Sequence, residues 1–241
     1  MGTDHLEKRI DEVVRRMRDL MWEVVYLNPL SGMRNQRGLD VDLAQLSPPL
    51  ALIAADVNGL KALNHYPGPE KADLILNEIG RRLREIADDR GAAAYHLHGD
   101  EFALQLPEAT RAGAAQSAEL LRRRINDNPF DVPGVAEAIP VTVAVAVAHV
   151  DAGCGQPDVR QVWDQLHLLT EYQKQHGRSG EVLKLWDEAE RPEYARFLEA
   201  EQSSARVRFE CRTCLSSGYV NLTPEAKQCP RCSAYFEAQL A

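Results

Sequence analysis

Residues Tyr95 to Gln105, YHLHGDEFALQ, decide the fold. A small and apolar run closes at His98 and Gly99, two acids follow at Asp100 and Glu101, and Phe102, Leu104 and Leu106 alternate beyond them. The pattern predicts a β-hairpin with carboxylates at its tip. Gly99 supplies the positive φ that a two-residue turn needs, and histidine tolerates the neighbouring position. An acidic turn alone is ordinary, because turns are solvated. A further acid changes its meaning. Asp56 closes the run Leu50 to Val57, LALIAADV, which is short and nearly continuous in apolar content, as a strand buried on both faces would be. With that strand beside the hairpin, Asp56 and Asp100 converge, and two hard oxygen ligands on adjoining strand ends suit Mg²⁺ with phosphates completing its shell.

Toward the N-terminus, Leu6, Ile10, Val13, Met17, Leu20 and Val24 recur at spacings of 4, 3, 4, 3 and 4, mostly with charges between them. This describes either the seam of a coiled coil or the inward stripe of a helix packed on its own domain. Asn28 and Pro29 stop the helix. The stretch Leu27 to Leu39, LNPLSGMRNQRGL, is expected to be a turn-rich link. Beyond the first strand, Leu60 to Asn64 predicts a helical turn, and Ala72, Ile75, Ile79, Leu83 and Ile86 mark one face of a longer helix ending before Gly91. After the hairpin come a helix from Glu108 to Ile125, a strand from Ile139 to Val150, a helix from Val159 to His176 and a short strand from Val182 to Trp186. The order describes an α/β (α+β) sandwich, one mainly antiparallel sheet with helices packed on it.

At 241 residues the chain has room for one substantial core and a small appendage. Its net charge of −8 argues against a broad basic face for nucleic acid. No apolar run approaches the length that spans a bilayer, and MGTDHLEKRIDE lacks the apolar core of a secretory signal, so a cytoplasmic protein with no membrane partner is expected. Four of the five cysteines, Cys211, Cys214, Cys229 and Cys232, form two C-x-x-C pairs about fourteen residues apart. That is the spacing of a zinc ribbon: four thiolates give Zn²⁺ a closed tetrahedral shell, so its role is structural. Arg206, Arg208, Arg212, Lys227 and Arg231 make the module mildly basic. A protein partner or support of a dimer is favoured over nucleic acid, since stacking aromatics are few.

From Asn28 to Trp186 the motifs and their order resemble the GGDEF family of diguanylate cyclases. The family's D-I-D-x-F-K-x-x-N-D is matched by Asp56 to His65, DVNGLKALNH, and its G-H-x-x-G-D by Gly68 to Asp73, GPEKAD. Its signature hairpin is matched by His98 to Phe102, its terminal K-x-x-G-R by Lys174 to Arg178, and its opening D-x-L-T-G-L by Asn28 to Met33. The resemblance implies condensation of two GTP into cyclic di-GMP with release of pyrophosphate, in a homodimer whose subunits each present one GTP. It implies Mg²⁺ or Mn²⁺ held by Asp56, the Val57 carbonyl and Asp100, with Glu101 in the same acidic cluster and Asp100 and Glu101 serving catalysis. Asn64 and Asp73 would read guanine, Lys61, Lys174 and Arg178 would neutralise the triphosphate, and His98 and Gly99 would lie against the nucleotide.

His98 stands where the family has its first signature glycine, His96 where it has arginine, His65 in place of an acid and Pro69 in place of a histidine. The family's R-x-x-D product-inhibition motif should fall at Asp89 to Ala92 and is absent, so feedback at that site is not expected. Two readings follow: an active cyclase, or a weakened or inactive nucleotide-binding regulator acting through its ribbon. The expected domains are a helix over 1–27, the GGDEF-like domain over 28–188, a helical linker over 189–206 and the ribbon over 207–241.

Overall fold

The computed structural model describes residues 3–107, 109–152, 159–178, 180–186, 196, 206–210 and 217–221. Its main sheet comprises β1 (Leu50–Val57), β2 (Ala93–His98), β3 (Glu101–Pro107), β4 (Val143–Val150) and β5 (Val182–Lys184), in the order β2-β3-β1-β4-β5. Every residue of β1 is buried, as its unbroken apolar content requires of the central strand. Both neighbours run antiparallel to it, and β5 joins β4 in parallel.

The helices are α1 (Thr3–Tyr26), α2 (Gln36–Leu43), α3 (Leu60–His65), α4 (Pro69–Arg90), α5 (Arg111–Asn126) and α6 (Val159–Gln175). Apolar residues of α4 and α5, among them Ile75, Ile79 and Leu121, share one core with Ala51, Ile53 and Val57 of β1. Leu39 of α2 and Trp163, Leu166 and Leu169 of α6 share the other with Leu50, Leu52 and Ala54. Alternation along β1 thus assigns even-numbered residues to the α6 face, and along β3 assigns Ala103 to the same face. Asp56 and Glu101 follow that parity and are partners across the two strands. This is what brings the acids within reach of α6.

Several boundaries differ from the sequence-based expectation, each for a local reason. The link after Asn28 contains α2, capped by the Asn35 side chain, which accepts from the Gly38 N–H. Thr110 caps α5 in the same way, so that helix starts at Arg111 rather than Glu108. The strand expected from Ile139 begins at Val143; Pro140 cannot donate to a ladder, and Ile139 bridges Phe130 instead. Within α1, Ile10, Val13, Met17, Leu20 and Val24 are 52 to 75% exposed, so the apolar seam is not covered by its own domain.

Toward the C-terminus β6 (Arg206–Glu210) and β7 (Ser217–Asn221) pair antiparallel. Cys211 and Cys214 fall between them in sequence. All four cysteines lie outside the described residues, as does the expected helical linker over 189–206 apart from the helical Arg196 and Arg206, which is strand and opens β6. Among the described residues, no helix is long and apolar enough to cross a membrane.

Candidate active site

The hairpin turns through Gly99 and Asp100, with Gly99 at φ +56°. A register shift between His96 and His98 marks a bulge just before the turn. The Asp100 carbonyl accepts the Val57 N–H at 2.9 Å, which ties the tip to the end of β1. On the other side the Asn58 N–H donates to the Thr142 carbonyl at 2.8 Å. Asp56 is therefore held in the middle of three strands and is only 7% exposed.

Lys174, one residue from the end of α6, places its ammonium on Asp56 Oδ1 and 3.6 Å from Asp100 Oδ2. Its position is fixed by the preceding residue. Gln173 is fully buried, accepts the Val145 N–H at 2.6 Å, and donates through Nε2 to the carbonyls of Arg178 at 2.8 Å and Glu181 at 2.5 Å. The edge of β4, the end of α6 and the loop into β5 are joined by one amide.

Burial raises the Asp56 carboxyl most, the nearby Asp100 carboxylate adds to the rise, and Lys174 opposes it; the outcome is about 7. A carboxylate so placed favours a proton or a cation. Among the described residues no three His, Cys, Asp or Glu side chains form a ready metal cage. Asp56 and Asp100 supply two hard oxygen donors, and a cation there would complete its shell from backbone, water and phosphate, which is how Mg²⁺ is usually held. The donor set fits Mg²⁺ or Mn²⁺.

Glu101 has two imidazole neighbours, His98 Nε2 at 3.5 Å and His167 Nδ1 at 3.8 Å, both measured to Oε2. His167 has no counterpart among the sequence-predicted site residues. It lies seven residues before Lys174, two helical turns and so the same face, and that spacing was the available signal. Lys61 and Asn64 on α3 and Asp73 on α4 are exposed and are not tied to the acids. Arg178 is paired with Glu181, Nε to Oε1 at 3.0 Å.

His96, in the arginine position, is 1% exposed. Its Nδ1 lies 2.9 Å from Ser31 Oγ and its Nε2 3.0 Å from the Gly99 carbonyl, and the ring stacks on Phe102 at 4.2 Å. A carbonyl only accepts, so Nε2 carries the proton donated to Gly99.

A mainly antiparallel sheet with acids at the joined ends of β1 and β3 defines a GGDEF-type fold. The GGDEF domain of DgcB from Caulobacter crescentus, solved in complex with c-di-GMP, shares it with a TM-score of 0.58 at 18% identity, covering 66% of this chain and 92% of that one. Diguanylate cyclase SiaD of Pseudomonas aeruginosa, solved with its activator SiaC, does so with a TM-score of 0.58 at 22% identity, covering 75% and 70%. The family model described as diguanylate cyclase, GGDEF domain, matches residues 25–180, and the chain belongs to that family. Diguanylate cyclase VdcA of Vibrio cholerae is 38% identical over 99 residues, 40% of this chain and 29% of that protein. The uncharacterized protein YhcK of Bacillus subtilis is 32% identical over 107 residues, 44% and 29%. The chain thus spans less than a third of the length of these two relatives.

Proposed function

We propose that the protein is a metal-dependent diguanylate cyclase that condenses two GTP into cyclic di-GMP across a homodimer. The observation that carries this is the convergence of Asp56, Asp100 and Lys174 at the joined strand ends. In the reaction each ribose 3′-oxygen forms a bond to the other nucleotide's α-phosphorus as the bond to pyrophosphate breaks. Asp56, the Val57 carbonyl and Asp100 would hold Mg²⁺ or Mn²⁺, which supplies charge stabilisation on the phosphoryl oxygens. Lys174 is the cation that currently neutralises the acids; once they have another, its ammonium is released to the triphosphate, joined by Lys61 and Arg178. Asn64 on α3 and Asp73 on α4 are exposed and would read the guanine edge.

One observation favours a second reading, in which the chain is a weakened or inactive nucleotide-binding regulator. The His98 imidazole stands beside Glu101, its Nε2 3.5 Å from Oε2, where the family has a glycine with no side chain. Both readings are tested by incubating the zinc-loaded chain with GTP and Mg²⁺ beside Asp100→Ala and His98→Gly, resolving products by chromatography and mass. Cyclic di-GMP from the natural chain, lost by roughly 10³-fold in Asp100→Ala, is the expected result. Bound but unreacted GTP in the natural chain, with turnover appearing only in His98→Gly, would replace the first reading by the second.

The proposal extends to the C-terminal module, with Cys211, Cys214, Cys229 and Cys232 holding a structural Zn²⁺ and the ribbon offering a dock for a protein partner. The first C-x-x-C pair falls between two paired strands, as a knuckle would. Metal analysis of the full chain is expected to return about one zinc per chain, lost in Cys211→Ser. A zinc-free natural chain would refute the assignment.

A further inference from the structure

We infer that His96 is a positioning residue for the catalytic turn, linking the segment that leaves α1 to the carboxylate of Asp100. It rests on the cyclase reading only for its kinetic consequence. The segment is a tight turn: Asn28 N–H donates to the Met33 carbonyl at 2.7 Å and Gly32 N–H to the Asn28 carbonyl at 2.8 Å. The Asn28 side chain accepts from the Leu30 and Ser31 amides and donates through Nδ2 to the His96 carbonyl at 3.2 Å. The His96 N–H in turn donates to the Arg34 carbonyl at 2.9 Å. The backbone of His96 therefore belongs to the turn after α1.

Its ring belongs to the hairpin. Nε2 donates to the Gly99 carbonyl, the last peptide oxygen before Asp100, while Nδ1 faces the Ser31 hydroxyl. Gly99 at φ +56° follows a bulge, so the β2 ladder is irregular just before the tip, where His98 and Glu101 are its last pair. The imidazole adds a side-chain bond to the turn at that point. An apolar residue there would leave the partly buried Gly99 carbonyl without its donor, and the tip would settle elsewhere. Two residues beyond the imidazole's own bulge, a displacement on the scale of 1 Å moves the Asp100 carboxylate off its geometry, which is worth roughly 10²-fold in rate.

The chain also carries the link in the other direction. At the end of α1 the Trp22 and Tyr26 rings meet at 4.4 Å, tilted by 44°, and Asn35 Nδ2 donates to the carbonyls of Val25 and Leu27 at 3.0 and 3.1 Å. A change in how α1 leaves the domain reaches Ser31 and Arg34 first, and His96 is the residue in contact with both.

The test compares His96→Ala, His96→Gln and Ser31→Ala in the full zinc-loaded chain by three readouts: hydrogen exchange at Val57, Mn²⁺ affinity without nucleotide, and kcat against KM for GTP. Val57 is informative because its N–H bonds to the Asp100 carbonyl. His96→Ala is expected to speed Val57 exchange about tenfold, weaken Mn²⁺ about tenfold and lower kcat about 10²-fold with KM little changed. Glutamine, which can donate to Gly99 and accept from Ser31, should restore most of each, and Ser31→Ala should shift all three in the same direction by less. Unchanged Val57 exchange and Mn²⁺ affinity in both His96→Ala and Ser31→Ala would overturn the inference, as would failure of glutamine to restore any of the three. If the natural chain makes no product, the cyclase reading fails, while exchange and metal affinity still decide the role of His96.

Discussion

Asp56→Asn is expected to abolish product formation, by roughly 10³-fold or more, because the acid is the buried half of the proposed metal site. The same substitution should make the metal-free protein more stable at pH 8, by up to about 4 kcal/mol. Burial and the Asp100 carboxylate raise the Asp56 carboxyl from 3.8 to about 7, so the folded chain holds its proton more tightly than the unfolded one. For a raised carboxyl, stability is highest below the unfolded value and declines as pH rises toward the folded one. The natural chain should lose stability relative to Asp56→Asn from about pH 4 to about pH 7 and no further above it. Denaturant titrations of both proteins across pH 4 to 8 measure the gap; a gap that does not widen with pH removes the argument. A cation that replaces the proton reverses the trend, so Mg²⁺ affinity should rise through the same window.

The second large effect concerns α1. Val13→Glu together with Leu20→Glu is expected to convert a dimer to monomers in sedimentation and to lower product formation by more than about 10²-fold, while each chain still binds GTP. The argument is one of exposure. Val13 and Leu20 are 57% and 53% exposed on a seam with Ile10, Met17 and Val24, and the domain does not cover them. A stripe of that length facing water is what a second copy of the helix would bury. Two GTP molecules react with each other in the proposed chemistry, so a monomer holds only half of the reacting pair. Full activity from a monomeric variant would refute the dimer.

Much of this was legible in the chain because the informative signals were local. The apolar run of β1 and the acidic turn between alternating strands identify themselves; that Asp56 and Glu101 share a face needed the register between the two strands. What was illegible depended on partners far apart in sequence. His96 reads as a missing cation until its contact with Ser31, 65 residues away, shows it buried. The helix α2 was hidden because Gly38 disfavours a helix and Leu39, Val41 and Leu43 alternate with the period of a strand. The start of β4 was overextended because Ile139 and Val141 continue its alternation, and only Pro140 hints that the ladder stops. For α1 the spacing could not separate a self-packed helix from an open seam, since both need the same stripe.

The amide of Gln173 has a bearing on how such domains diverge. It joins β4, α6 and the loop before β5, and the next residue is the lysine bound to Asp56. A drift from glutamine at this buried position would move the ammonium without altering any acid, any cation or the signature turn. Two chains with identical charged residues could then differ in catalytic rate, and a comparison confined to motif letters would record them as equivalent. The register of the charged residues here is held by a neutral one, and so would be any rate that depends on it.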